Sequence, residues 1–292
     1  MIQEINKEEV KTTKRESVHS AWIDAVVIIL IFVIAQALGG VLALIAGVRM
    51  PGEAMTTSFD TEVLEAAASM QARFVAVAYL ISMVICYLVL FVYGHMRRWQ
   101  VASWWRLQGG LAPVKLLMGY LIMWCVSIAV EPLAEILPGD QYSLGSGGWL
   151  LFSAVLLAPI FEESVFRGYL ASRLRSAYGG MVAWLVSALA FGVIHGIPSV
   201  VVTATMSGLV LGFYYLRYRS LGLVIMLHAM NNLTACFLLT LDVGDATTRE
   251  LLGGGSLYWG VYAVSAVIAV TALVRMGRIV CGIKSDNYIA KE

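Results

Sequence analysis

The chain has 292 residues, 60% hydrophobic and only 13% charged, against roughly 45–50% and about 25% in ordinary soluble domains. One soluble core of this length cannot bury so much apolar side chain, so a soluble enzyme and a disordered chain are both excluded, and lipid must be the solvent for most of it. A net charge of +1 excludes a nucleic-acid binder, which needs a concentrated basic face.

Residues 1–20 form a polar tail. Apolar stretches long enough to cross a bilayer follow at Trp22–Val48, Phe74–Tyr93, Val114–Val130, Gly148–Tyr169, Met181–His195, Ser199–Leu216, Leu221–Leu241 and Leu257–Val274. The first is too long for a signal-peptide apolar region and is read as a retained span. The fifth is short. The expected fold is therefore all-α: a polytopic membrane bundle of about eight transmembrane helices. It divides into the tail (1–20), three spans with interfacial segments (21–147), a core of four (148–241), and a last span with its tail (242–292).

Eight spans put both termini on one side, and the Lys and Arg residues then divide 17 to 3 in favour of that side. Cytoplasmic loops carry such an excess, so both termini are expected in the cytoplasm, in the cell membrane. Between spans two and three, Trp99, Trp104 and Trp105 sit among Arg97, Arg98 and Arg106 and read as an interfacial aromatic belt. The stretch 55–72, with Asp60, Glu62 and Glu65, reads as a short amphipathic surface helix. Asp24 and Glu131 fall near span ends, within reach of water. Cys86, Cys125, Cys236 and Cys281 are too scattered for a disulfide framework or a CxxC metal knuckle.

A charge at a helix centre costs about 2.5–3.5 kcal/mol on the insertion scale, so the charges inside the spans carry the information. Span four contains Glu162, Glu163 and Arg167, which must face the bundle interior. Glu163 and Arg167 stand at i,i+4 and can pair. Glu162 is rotated about 100° away and has no local cation. Span five ends with Phe191 and His195 at i,i+4, and span seven carries His228 and Asn232 one turn apart on one face. A carboxylate beside an imidazole does general acid–base work, and a His–Asn pair can donate hydrogen bonds to a developing oxyanion. Ser164 lies in no nucleophile elbow. The set points to water-mediated hydrolysis of an acyl bond within the membrane. A zinc held by Glu and two His is the alternative, though no HExxH supports it.

Two structural readings belong beside these. The Glu163–Arg167 pair would also serve merely to lock span four, and Ala204, Gly208 and Gly212 form a small-residue stripe suited to close helix packing. Depth is also at issue, because His195 lies about 21 Å from Met181 along its helix and His228 only about 11 Å from Leu221. This predicts that the fifth helix is tilted or begins after Trp184.

Glu162-Glu163-x-x-x-Arg167, Phe191-x-x-x-His195 and His228-x-x-x-Asn232, in that order on successive late spans, resemble the CPBP family. This family comprises CAAX-processing endopeptidases and bacteriocin-processing or immunity proteins, with an eight-helix glutamic-type intramembrane protease fold. The Phe166-Arg167-Gly168 run is also typical of it. The resemblance covers about Leu150 to Leu239. It implies that Glu162 activates water with help from His195, that His228 and Asn232 form an oxyanion hole, and that Glu163 and Arg167 support the site. It implies no cofactor, and as substrate a membrane-associated peptide or protein. Family members with immunity or regulatory roles keep a non-proteolytic scaffold open as the alternative.

Overall fold

The computed structural model describes residues 2–99, 113–138, 146–241 and 246–284, with side chains from Ser20 onward. The described residues form helices joined by turns and short irregular segments, without strands. We number the main helices α1 (Ile2–Ile45), α2 (Thr61–Met96), α3 (Pro113–Glu135), α4 (Gly147–Tyr178), α5 (Gly180–Val193), α6 (Pro198–Tyr218), α7 (Leu221–Thr240) and α8 (Ser256–Cys281). Seven of them are long and apolar enough to cross a membrane. The exception is α5, with 14 residues or about 21 Å of rise. The eight expected spans are thus seven long helices and one short one, and the polytopic bundle stands.

Helix α4 is the axis: 56% of its apolar stretch is buried inside the protein, against 17% for α3 and for α8, whose outer faces are left uncovered by the protein. Its residues Phe161, Val165, Phe166, Leu170 and Leu174 are fully buried. Large apolar side chains such as Leu88, Phe91, Leu117 and Val267 point outward, as expected where the solvent is hydrocarbon. Helix α5 runs along α6 at close range. The small-residue stripe makes this possible: Gly208 faces the Ala188 backbone, and Gly212 faces Trp184. Gly192 completes the seam, because a Cβ there would lie 2.7 Å from the Val201 carbonyl oxygen and collide with Thr205. Gly192→Ala is expected to cost about 1–3 kcal/mol by overpacking, visible as a lowered thermal midpoint, whereas Gly40→Ala, with open space around it, should not lower it.

Two expectations are corrected. The stretch 55–72 is not a separate surface helix. Asp60 caps α2, accepting from the Glu62 amide at 2.9 Å, so Glu62 and Glu65 lie in the first turns of α2 itself, a 36-residue helix of about 54 Å. The N-terminal polar stretch is continuous with the first span, since α1 begins at Ile2.

The second correction concerns Asp24, which is fully buried rather than bathed in water. It accepts from Arg97 Nε at 2.9 Å, Arg173 Nε at 2.6 Å and the Tyr93 hydroxyl at 2.8 Å, tying α1, α2 and α4 together at one end of the bundle. Its hydrogen bond raises the Arg97 pKa above the ordinary value. Glu131 is only partly accessible, and one of its oxygens is sealed from solvent. Trp99 packs edge-on to Tyr93; Trp104, Trp105 and Arg106 lie outside the described residues.

Candidate active site

The two glutamates sit in an unusual helix. Within α4, the α-helical segment Ala158–Glu163 is flanked by two π-helical segments, Phe152–Leu157 and Ser164–Ala171. Such insertions often accompany functional sites, and this one has a local cause. In a five-residue hydrogen-bond spacing, the carbonyl of Ala154 looks to the N–H of residue 159, which is proline and has none. The Asn232 amide supplies the missing donor at 2.8 Å, which pins α7 to α4 where the carboxylates begin.

Glu163 is the buried hub. Its Oε1 accepts from Arg167 Nη1 at 3.1 Å and from His228 Nδ1 at 2.9 Å. Arg167 donates in turn to the Gly208 carbonyl at 3.1 Å and lies over the Phe191 ring at 4.4 Å. Glu163 and Arg167 are both fully buried, so each charge depends on the other; an ion unpaired at such depth would cost several kcal/mol. With His228 Nδ1–H committed to a carboxylate, the neutral imidazole keeps its basic lone pair on Nε2. That nitrogen lies 4.0 Å from Glu162 Oε2.

Glu162 is not without a partner, as its position alone suggested. The Tyr79 hydroxyl on α2 donates a short hydrogen bond to its Oε1, and Gln36 on α1 bonds Tyr79. Tyr79 also packs edge-on against Phe161. The other oxygen, Oε2, is buried with no hydrogen-bond partner among the described residues. Tyr79 and Gln36 were missed in the sequence because uncharged polar groups in an apolar helix are common there. Ser164 is no nucleophile: its hydroxyl donates to the Ile160 carbonyl at 2.6 Å.

His195 lies just past the end of α5, with Nδ1 2.8 Å from the Phe191 carbonyl oxygen. No hydrogen bond or ion pair joins it to Glu162 among the described residues, so the imidazole beside Glu162 is His228 instead. Helix α5 does begin at Gly180, not after Trp184. The depth difference between the histidines is bridged by Phe191, whose ring lies 5.2 Å from one imidazole and 5.6 Å from the other, centroid to centroid. His195, His228, Phe191, Asn231 and Asn232 all line one cavity of about 260 Å³, walled further by Ser127 and Thr203.

Among the described residues, no three His, Cys, Asp or Glu side chains are grouped to hold a metal ion. His228 gives one nitrogen to Glu163, and His195 stands apart from both glutamates.

Residues 145–234 match the family described as Rce1-like, type II CAAX prenyl endopeptidase Rce1-like. No curated protein and no solved structure matches the chain.

Proposed function

We propose that this chain, which matches the Rce1-like CAAX prenyl endopeptidase family over residues 145–234, belongs to the CPBP proteases and is an intramembrane endopeptidase that uses Glu162 to activate water. The family is one of proteases, and the chain is an integral multi-pass membrane protein; the mechanism is our reading. It is carried by one observation: a buried carboxylate oxygen without a hydrogen-bond partner, Glu162 Oε2, 4.0 Å from the basic nitrogen of His228. That separation is too long for a direct hydrogen bond and suits a water bonded to both groups.

In this mechanism Glu162 takes the proton as the water oxygen attacks the peptide carbonyl carbon, and returns it to the leaving amine. Tyr79 holds the other carboxylate oxygen, so Oε2 stays aimed. His228, fixed through Glu163 and Arg167, orients the water. His195, together with the second N–H of Asn232, stabilises the oxyanion. This divides the two histidines differently from the roles that the family resemblance implies. The substrate is a membrane-associated peptide or protein, cut in the cell membrane by a chain with both termini in the cytoplasm.

The test compares protein termini by mass spectrometry in membranes carrying the wild type or Glu162→Gln. We expect at least one terminus present only with the wild type; identical sets of termini would favour the non-proteolytic scaffold. Because the residues do not group around a metal, cleavage should keep its rate in millimolar concentrations of a strong chelator. A loss restored by added zinc would overturn the metal-free mechanism.

A further inference from the structure

We propose that the pocket around Glu131 is a substrate subsite for a positively charged side chain, lysine or arginine, about three residues from the scissile bond. This rests on the endopeptidase reading and adds a specificity to it.

A second cavity of about 280 Å³ lies between α3 and α7, toward the end of the bundle away from Asp24. Its walls include Trp124, Ile128, Glu131, Thr234 and Thr248. It also shares Ser127, Thr203 and Asn231 with the cavity that holds His195 and His228. The two spaces are therefore adjoining parts of one groove along α3 and α7. From Asn231 to Leu238, which also lines the second pocket, α7 rises about 10 Å, the span of about three extended residues.

The chemistry of the pocket selects a cation. Glu131 Oε1 accepts from the Thr248 backbone N–H at the start of the short helix Thr248–Leu251, which fixes the carboxylate. Its Oε2 is sealed from solvent and has no partner among the described residues. A desolvated carboxylate oxygen left in that state is costly. Pro132 follows inside α3 and removes the N–H that would close on the Ile128 carbonyl, so a second acceptor on the pocket wall lacks its helical donor. Two oxygen acceptors in need of donors, beside the aromatic ring of Trp124, suit an ammonium or guanidinium group, which carries several N–H donors and is attracted to an aromatic face. Arg249 on the Thr248–Leu251 helix forms no ion pair with Glu131 among the described residues, so the protein's own cation does not fill the place.

The test uses the full-length protein in lipid nanodiscs and fluorescence-quenched dodecapeptides in which a single lysine, or norleucine as its neutral counterpart, is moved stepwise along one sequence. Two quantities are read: kcat/KM on the wild type, and Kd by fluorescence anisotropy on Glu162→Gln, which holds peptide without cutting it. Lysine at one fixed offset from the cut should be favoured over norleucine by about tenfold in both, the size of one charge-assisted hydrogen bond. Adding Glu131→Gln should bring the ratio close to one, and Glu131→Lys should transfer the preference to glutamate at the same offset. A lysine preference that survives Glu131→Gln, or equal binding of the two peptides to Glu162→Gln, overturns the subsite and means that the pocket holds water only. Absence of any cleavage by the wild type, with the binding preference intact, instead overturns the endopeptidase reading and leaves a cation-binding pocket.

Discussion

Glu162→Gln should lower kcat by at least about a thousandfold, toward the limit set by orientation and oxyanion stabilisation alone. The amide is nearly isosteric and still accepts from Tyr79 through its oxygen, so the thermal midpoint should change little. What is lost is a base that can take a proton from water and return it to the amine. Tyr79→Phe separates aiming from chemistry. It removes the hydrogen bond on Glu162 Oε1 but leaves the base, and should cost about tenfold to a hundredfold in kcat, with KM nearly unchanged. Single-turnover cleavage of a quenched peptide by purified protein measures both. If Glu162→Gln retains more than a tenth of wild-type kcat, the base lies elsewhere, and the water-activation account fails.

Asp24→Asn is expected to have the largest effect on stability. Removing one partner of a buried ion pair typically costs about 3–5 kcal/mol, because the remaining charge is uncompensated. Here Arg97 is 37% exposed and Arg173 16% exposed, so water recovers part of the loss; we expect about 2–3 kcal/mol. The apparent melting temperature in detergent should fall by several degrees, and α1 should become more open to proteolysis than α7. Ser20→Ala, which removes only the hydroxyl that Arg97 and Arg173 reach, should cost less. An unchanged midpoint for Asp24→Asn would mean that α1 is held by apolar packing alone.

What could be read in the sequence, and what could not, follows the range of the interactions. The Glu163–Arg167 pair was legible because i,i+4 neighbours on one helix meet whatever the tertiary fold. The gathering of three helices was legible from the cost of burying charges in lipid. The partners of Glu162 were not, since Tyr79 is 83 residues away and hydropathy does not separate a bonded tyrosine from an interfacial one. Asp24 was misplaced for the same reason: its cations come from the ends of two other helices. The division between His195 and His228 depends on where the Phe191 ring sits between them, which helical spacing does not encode. Helix existence was dictated by composition, while the start of α2 was set by a single cap at Asp60.

The π-helical segments on either side of the glutamates have a consequence for how this chain tolerates insertions and deletions. A π turn is a helix carrying one residue more than an α-helix needs over the same hydrogen-bonded span. Shortening the π segment 152–157 by one residue would therefore let the same span close as ordinary α-helix, and Glu162 would still face Tyr79 and Glu163 still face His228. A deletion in a helix without such a turn has no spare residue to draw on, and everything beyond it rotates by about 100° and shifts by about 1.5 Å. The spare residue is thus a local reserve of length: it can be lost without turning the carboxylates to another face. Chains related to this one should vary in length by one residue within 152–157 more readily than within the α-helical segment Ala158–Glu163.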